Sequence, residues 1–132
     1  MTRGFLLDTD ILIEVLRGRA DDLRSAFVAN SDRIAVSTVS VMELAFGSGR
    51  SADPSGSRAA VSEFLGFVTV LDFDAEAAAD AGELRCELGA LGTPIGAYDV
   101  MIAGHARSLG LTVVTRNVRE FGRVPRLAVE TW

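Results

Sequence analysis

One short stretch near the amino terminus constrains the fold more than any other part of the sequence. The apolar residues Phe5, Leu6 and Leu7 are too few for a helix and suit a buried strand. The strand ends at Asp8, and apolar residues resume at helical spacing from Ile11. A strand that turns directly into a helix is a βα unit, and open α/β sheets bind ligands at the carboxyl ends of their strands. The stretch therefore predicts an α/β fold with a functional carboxylate at one edge of the sheet.

The rest of the chain alternates predicted strands with predicted helices. Strands are predicted at 4–8, 34–37, 68–71, 112–115 and 127–130. Helices are predicted at 10–18, 20–29, 38–46, 58–66, 74–88 and 96–109, with a loop at 50–57 and a tight turn or short helix at 116–121. This alternation favours a mostly parallel sheet covered by helices on both faces. No linker divides the chain, so residues 1–132 are expected to form one domain.

The charged residues exclude several classes of protein. The chain carries a net charge of −5, and its 13 basic residues are all arginine. Without lysine, a P-loop phosphate site and a catalytic Schiff base are excluded. Haloacid-dehalogenase-type phosphatases and response-regulator receivers also become poor candidates, because both rely on a lysine. The acidic balance argues against broad nonspecific binding of nucleic acid, but a metal-dependent nuclease remains open because bound cations offset clustered carboxylates.

The sequence favours a cytoplasmic protein without a membrane span. No apolar run is long enough to cross a bilayer, and the first apolar run reaches Asp8 within four residues, unlike a signal peptide. The single cysteine, Cys86, excludes an internal disulfide and a zinc site built on several cysteines. Its Ala-rich surroundings predict a small core residue.

Two later acids lie on helix stripes that are otherwise apolar. Glu43 is the one charge on a stripe of the third predicted helix, and Asp99 occupies the same kind of position near residue 100. The apolar members of these stripes are Val39, Met42 and Phe46 in one helix, and Ile102, Ala103 and Ala106 in the other. Burying one unpaired carboxylate costs several kcal/mol of folding free energy. We therefore expect a cation that compensates the buried charge.

Each acid also has a simpler interpretation. Asp99 could merely favour the helix dipole, Glu43 could pair with an arginine, and Thr9 or Asp10 could cap the first helix. Asp72 or Asp74 is expected to cap the long helix, and Glu76 to be solvated. A functional site is favoured because four polar residues all fall at the same predicted edge of the sheet, namely Asp8, Glu43, Asp99 and Asn117. Oxygen ligands of this kind suit magnesium or manganese.

Four segments together resemble a known family. They are LDTDILI at 7–13, STVSVMEL at 37–44, IGAYDVMIA at 95–103 and TRNVREF at 115–121, the last followed by Val124 and Pro125. In this order and spacing the chain resembles the PIN-domain ribonucleases, and more closely the VapC-type toxins of prokaryotic toxin–antitoxin pairs. Asp-Thr-Asp alone would be weak support, but the four segments span almost the whole chain.

The resemblance implies a three-layer α/β/α domain with a roughly five-stranded, mostly parallel sheet. It also implies an endoribonuclease that depends on Mg²⁺, with Mn²⁺ as a substitute, and that acts as a toxin. The implied partners are RNA, a VapB-like antitoxin and a second copy of the chain, with a larger toxin–antitoxin assembly as an extension. Carried over, Asp8, Glu43 and Asp99 form the acidic triad, and Asp8 and Asp99 bind the metal. The fourth family position, often aspartate, is Asn117 here, which leaves open whether one metal binds or two.

The expected chemistry is hydrolysis of a phosphodiester by a metal-activated water, leaving a 3′-hydroxyl and a 5′-phosphate. Glu43 would hold the water, and Thr115 and Asn117 would position it or the phosphate. Thr9 and Arg116 are further candidates for binding substrate. Four arginines lie beside Asn117, namely Arg116, Arg119, Arg123 and Arg126. They could contact phosphates of the RNA, or they could be solvated and pair with Glu120 or Glu130.

Two alternatives remain open at this point. One is a catalytically weak PIN-like binding module, which the neutral Asn117 favours. The other is an RNA-processing nuclease that is not a toxin. The single histidine, His105, excludes catalysis by a histidine pair and is expected to be partly exposed. Tyr98 is expected to pack rather than to stack on bases, and Trp132 is undecided.

Overall fold

The computed structural model describes residues 4–18 and 21–132, and it contains one parallel sheet between layers of helices. The strand order is β3-β2-β1-β4-β5. The strands are β1 Phe5–Leu7, β2 Ile34–Ser37, β3 Thr69–Leu71, β4 Thr112–Val114 and β5 Val129–Glu130. The helices are α1 Thr9–Arg17, α2 Asp21–Ala29, α3 Thr38–Gly49, α4 Pro54–Leu65, α5 Ala75–Leu91, α6 Ala97–Leu109 and α7 Val118–Phe121, with a 3₁₀ turn at Ser31–Arg33. The predicted fold class is confirmed.

The central strand β1 supplies side chains to a core on each face of the sheet. Leu6 is fully buried in a cluster that contains Ile102 of α6, whereas Phe5 and Leu7 belong to a cluster that contains Leu12 of α1. This follows from the alternation of side chains along a strand. Because both faces of β1 are covered, its residues read as a continuous apolar run, as is usual in parallel sheets.

Helix α6 packs closely on α5 because it presents Gly104. A Cβ atom at Gly104 would lie 2.5 Å from the Cα atom of Ala81, a distance that real side chains do not tolerate. Arg107 fastens the same pair of helices, since its Nε atom donates to Asp80 of α5 at 2.7 Å. Together these contacts fix the orientation of α6 and therefore of the acid in its first turn.

Several predicted boundaries are wrong for identifiable reasons. Asp8, and not Thr9 or Asp10, is the N-cap of α1, because its side chain accepts a hydrogen bond from the backbone N–H of Thr9. Helix α3 continues to Gly49 instead of ending at Phe46. Helix α4 begins inside the predicted loop at 50–57, with Asp53 as cap and a proline at the first helical position, where proline is favoured. The predicted cap of the long helix by Asp74 is confirmed.

Some predictions about burial are also wrong. Of the apolar residues in the α3 stripe, Val39 is core as predicted, but Met42 is 43% exposed and Phe46 is 63% exposed. Cys86 is exposed, while His105 is buried and its Nδ1 atom lies 2.9 Å from Ser37 Oγ. Burial lowers the pKa of His105. In the second predicted helix, residue 20 lies outside the described residues. Among the described helices, none has the length and apolarity that crossing a membrane requires.

Candidate active site

The site lies where the carboxyl ends of β1 and β4 adjoin. β1 pairs with β2 on one side and with β4 on the other. The chain continues from β1 to β2 and β3 on one side of the sheet, and β4 and β5 are added later on the other side. Such a switch in strand order opens a crevice outside the strand ends. The backbone N–H of Asp8 donates to the carbonyl of Val114 at 2.9 Å, which holds the first acid against the end of β4.

Asp8 is only 5% exposed and is held by donors from both strands. Its Oδ1 atom accepts from the Thr9 N–H at 2.8 Å, and its Oδ2 atom accepts from the Thr115 hydroxyl at 2.8 Å. The Thr115 oxygen in turn accepts from the Asn117 N–H at 2.9 Å. Burial and the negative charge of Asp10 raise the pKa of Asp8 to about 8, although the Thr115 bond opposes the shift. Asp8 is therefore fixed in place but electrostatically destabilised as an anion.

Glu43 of α3 is tied to the same turn through Thr9. The Thr9 hydroxyl donates to Glu43 Oε1 at 2.7 Å, and its oxygen lies 2.9 Å from the buried Ser40 Oγ. A hydroxyl carries a single hydrogen, so once Thr9 donates to the carboxylate, Ser40 supplies the hydrogen for the other bond. Thr9, predicted to contact substrate, is buried and links Glu43 to the turn that carries Asp8.

Asp99, in the first turn of α6, is coupled to Glu120 of α7. Burial and a hydrogen bond to Glu120 raise the pKa of Asp99 to about 7, with further contributions from the charges of Glu43 and Asp10. The same hydrogen bond lowers the pKa of Glu120, so Asp99 is the protonated donor of the pair. The Asn117 side-chain amide donates to Glu120 Oε2 at 2.6 Å. Asn117 therefore contributes to the site by holding a carboxylate.

Two acids of this site, Asp10 and Glu120, are not among the site residues predicted from the sequence. The Asp10 Oδ1 atom is buried and has no hydrogen-bond partner, the one such side-chain nitrogen or oxygen among the described residues. Asp10 lies only two residues after Asp8. Glu120 lies three residues after Asn117, and residues three apart lie on the same side of a helix. We call the whole set the acidic crevice; its members are Asp8, Asp10, Glu43, Asp99 and Glu120.

The donors of the acidic crevice fit a hard divalent cation. They are all carboxylates, which magnesium and manganese prefer. Asp8 and Asp99 have raised pKa values because negative charges crowd them, and Asp10 keeps one oxygen unpaired. Within residues 4–18 and 21–132, no three acidic, histidine or cysteine side chains are close enough to enclose an ion as they stand. The carboxylates would have to draw together around a cation.

The four arginines near Asn117 differ in their surroundings. Arg126 pairs with Glu87 at 2.8 Å, and Arg123 donates to the carbonyl of Pro94 at 3.1 Å. Arg116 and Arg119 are exposed, and in the described part of the chain neither takes part in an ion pair. Arg116, which directly follows the buried Thr115, remains the best candidate for contact with a phosphate.

The two aromatic residues considered for stacking on bases, Tyr98 and Trp132, differ in their surroundings. Tyr98 is 50% exposed beside Asp99, so the prediction that it packs is wrong. The Trp132 ring packs edge-on against Phe5 with 5.2 Å between ring centroids, which makes it part of the core beneath α1 and α2.

Comparison with known proteins agrees with this architecture. Residues 5–127 match the model of the PIN domain family. The tRNA(fMet)-specific endonuclease VapC of Salmonella typhimurium is 43% identical over 97% of both chains. In the solved structure of DNA-bound VapBC from the same organism, a chain that is 42% identical superposes with a TM-score of 0.95 over 99% of both chains. VapBC2 from Rickettsia felis bound to promoter DNA gives a TM-score of 0.91 at 32% identity, over 97% of this chain and 98% of that chain. The chain therefore belongs to the PIN-domain family, in the branch of the VapC ribonucleases.

Proposed function

We propose that this chain is a metal-dependent endoribonuclease and the toxin of a toxin–antitoxin pair. The observation that carries the proposal is the acidic crevice, where two carboxyl groups at the sheet edge have pKa values raised to about 8 and about 7. Carboxylates crowded into one place repel one another, and a divalent cation bound among them would offset that repulsion. The relatives named as a tRNA endonuclease and as a ribonuclease support RNA as the substrate class.

In this proposal Asp8 and Asp99 hold Mg²⁺, with Mn²⁺ as a substitute. A bound cation would polarise the scissile phosphate and lower the pKa of a water molecule. Glu43, anchored by the Thr9 hydroxyl, orients the attacking water and accepts its proton. The water oxygen forms a new bond to phosphorus while the bond from phosphorus to O3′ breaks. The products are a 5′-phosphate and a 3′-hydroxyl that takes up a proton.

The remaining predicted residues act around this centre. Asn117 holds Glu120, so the chain keeps a fourth carboxylate although its fourth family position is neutral. Arg116 contacts a phosphate of the RNA from its exposed position. Direct contact of Thr9 and Thr115 with substrate stays a prediction, since both hydroxyls are engaged with carboxylates of the protein.

The antitoxin would bind a groove beside the acidic crevice. A cavity of about 300 Å³ lies between α1, α3 and α4 and is bordered by Glu43. Its apolar lining comes from Ile13, Leu16, Leu44 and Val61. An antitoxin tail with apolar residues and an arginine would fill the groove and pair with the carboxylates. A homodimer, a larger toxin–antitoxin assembly, a cytoplasmic location and a single domain over residues 1–132 stay proposals.

The direct test uses purified protein freed of antitoxin and a labelled RNA. We expect cleavage with Mg²⁺ or Mn²⁺, products that carry 5′-phosphate ends, and loss of cleavage in Asp8→Ala and Asp99→Asn variants. Undiminished cleavage in excess chelator would refute the metal-dependent mechanism. Co-expression with the protein encoded by a neighbouring short reading frame should suppress cleavage. If no such partner associates at micromolar concentration, the toxin role is refuted and the function of an RNA-processing nuclease is favoured.

The inactive binding module is the weaker alternative. Its one supporting feature was the neutral Asn117, and Asn117 lies 2.6 Å from a carboxylate oxygen of Glu120. The acidic crevice still offers five carboxyl groups as oxygen ligands for a cation.

A further inference from the structure

We propose that His105 is a positioning residue for RNA cleavage, because its ring holds the helix that carries Asp99 against the start of the helix that carries Glu43. This inference rests on the proposed function, since the two acids belong to the proposed site. His105 is the single histidine of the chain and takes no part in the proposed hydrolysis.

The first observation is a buried hydrogen bond between two elements that lie far apart in the sequence. The Nδ1 atom of His105 lies 2.9 Å from the Oγ atom of Ser37. Both side chains are buried, so they depend on each other and not on bulk water for this bond. His105 lies on α6, and Ser37 ends β2 and caps α3. The bond therefore joins α6 directly to the junction between β2 and α3.

The second observation is the direction of this hydrogen bond. The Ser37 Oγ atom already accepts from the backbone N–H of Val39 at 3.1 Å. Among the described residues, His105 is the one group that can accept the single hydrogen of the Ser37 hydroxyl. The Nδ1 atom therefore carries no proton, and the ring is neutral with its proton on Nε2. Burial lowers the pKa of His105 and favours this form, although the charges of Asp74 and Asp72 oppose the shift.

The third observation is a second contact that fixes the His105 ring. The Phe73 ring packs edge-on against it, with 5.6 Å between ring centroids and 81° between ring planes. The backbone N–H of Phe73 donates to the Thr38 hydroxyl at 2.9 Å, and Thr38 is the first residue of α3. The His105 ring thus contacts the start of α3 directly through Ser37 and indirectly through Phe73.

The two acids lie at equal distances along the chain from this contact. Asp99 lies six residues before His105 on α6, a span of about 9 Å in a helix. Glu43 lies six residues after Ser37 on α3. The negative charge of Glu43 raises the pKa of Asp99, which requires the two acids to be near each other. A shift of His105 relative to Ser37 would therefore change the separation of the two carboxyl groups.

The experiment compares two substitutions of His105 in the antitoxin-free chain with Mg²⁺ and RNA. His105→Leu fills a similar volume but forms no hydrogen bond, whereas the smaller His105→Asn can place its amide oxygen near the position of Nδ1. We expect His105→Leu to lower kcat by about tenfold, the scale on which supporting partners act. The KM for RNA should change little, because the exposed arginines are unaltered. His105→Asn should restore most of the lost kcat.

Stability should follow the opposite order, which separates positioning from a purely structural role. His105→Asn leaves a gap and a polar group in the core, so it should have the lower melting temperature of the two variants. A residue that acts only through stability would give the lower kcat in the variant with the lower melting temperature.

The chain contains a matched control for the serine. Ser48 is buried on the same helix as Glu43, and its Oγ atom lies 2.8 Å from Ser57 Oγ on α4, which carries no member of the acidic crevice. Ser37→Ala should lower kcat, and Ser48→Ala should leave kcat unchanged. Because Ser37→Ala also removes the cap of α3, the double variant with His105→Leu isolates the shared bond. Its kcat should be no lower than that of the more impaired single variant.

A nitrogen NMR spectrum of isotope-labelled histidine tests the hydrogen bond without metal or RNA. A single histidine gives one pair of ring signals, so they need no further assignment to a residue. We expect an unprotonated Nδ1 and a protonated Nε2 in the metal-free chain, and a displaced Nδ1 signal in Ser37→Ala.

The outcomes separate this inference from the proposed function. If the parent cleaves RNA and His105→Leu cleaves equally well, or if His105→Asn is as impaired as His105→Leu, the inference is wrong and the proposed function stands. A proton on Nδ1, or an Nδ1 signal that is unchanged in Ser37→Ala, would also overturn the inference alone. If the parent cleaves no RNA with Mg²⁺ or Mn²⁺, both fail.

Discussion

Two turns in this molecule share one local design and differ in their surroundings. The turn after β1 places Asp8 as cap of α1 with Asp10 two residues later, and the turn that follows β3 places Asp74 as cap of α5 with Glu76 two residues later. Asp8 is 5% exposed, whereas Asp74 and Glu76 are exposed. The same arrangement of acids thus gives a buried cluster in one place and a solvated helix start in the other.

The place of each strand in the sheet explains this difference. β1 lies between β2 and β4, so its turn receives side chains from residues that follow both neighbours, namely Thr115, Ser40 and Glu43. β3 is an edge strand with β2 on one side only, and Asp74 accepts its hydrogen bond from Ala77 within its own helix. The neighbours of Asp8 across the sheet, and not its own turn alone, therefore bury and hold this carboxylate.

The largest difference between the two turns should appear on removing their caps. Asp8→Ala is expected to lower RNA cleavage by about 10²-fold or more, the scale of losing one charge-stabilising group in an active site. Asp74→Ala should cost about 1 kcal/mol of stability, as for the loss of an N-cap, and leave cleavage intact. Parallel cleavage assays and urea unfolding measure both. Equal loss of cleavage in the two variants would remove the distinction between the turns.

The threonines that support the two turns should differ in the same direction. Thr115 donates to Asp8, and Thr38 accepts from the Phe73 N–H at 2.9 Å just before α5. Thr115→Val should weaken Mn²⁺ binding by about tenfold, as removal of a ligand's supporting partner does. Thr38→Val should cost about 1 kcal/mol of stability through one lost hydrogen bond and leave Mn²⁺ binding unchanged. Unchanged binding by the Thr115→Val variant in a calorimetric titration would count against the role given to this threonine.

A smaller effect is expected from pH in the absence of metal. The pKa of Asp8 is raised from 3.8 to about 8 and that of Asp99 to about 7, so the folded state holds protons that the unfolded state has lost. The free energy of unfolding of the metal-free protein should therefore fall as pH rises from about 4 to about 8. Added Mg²⁺ should restore stability mainly at the upper end of this range. Thermal unfolding in chelator across this range tests the sign, and an Asp8→Asn variant should flatten the decline.

The sequence was sufficient for the sheet and for the main acids. Short apolar runs followed directly by helical spacing located β1 and β4, and the carboxyl ends of parallel strands placed Asp8 and Asn117 together. The start of α4 was missed because Pro54 was taken as a loop residue, although proline also favours the first position of a helix.

The remaining features of the crevice depend on contacts that the sequence does not display. Asp10 has the local pattern of an ordinary first-turn acid, as Glu76 does, but its Oδ1 atom is buried and its charge acts on Asp8 and Asp99. Glu120 was taken as a partner for arginine, whereas it lies beside Asp99 and Asn117. Met42 and Phe46 show the reverse error, because an apolar stripe predicts burial but both of these side chains are exposed.

We expect the turn after β1, and not the turn that precedes α5, to bind a divalent cation. Anomalous diffraction from crystals of the antitoxin-free protein soaked in Mn²⁺ tests it most directly. We expect a peak bordered by carboxylate oxygens of Asp8 and Asp99, at about 2.0–2.3 Å as is usual for hard divalent ions, and no peak beside Asp74 and Glu76. An Mn²⁺ peak at Asp74 and Glu76, or an empty crevice in saturating Mn²⁺, would contradict it.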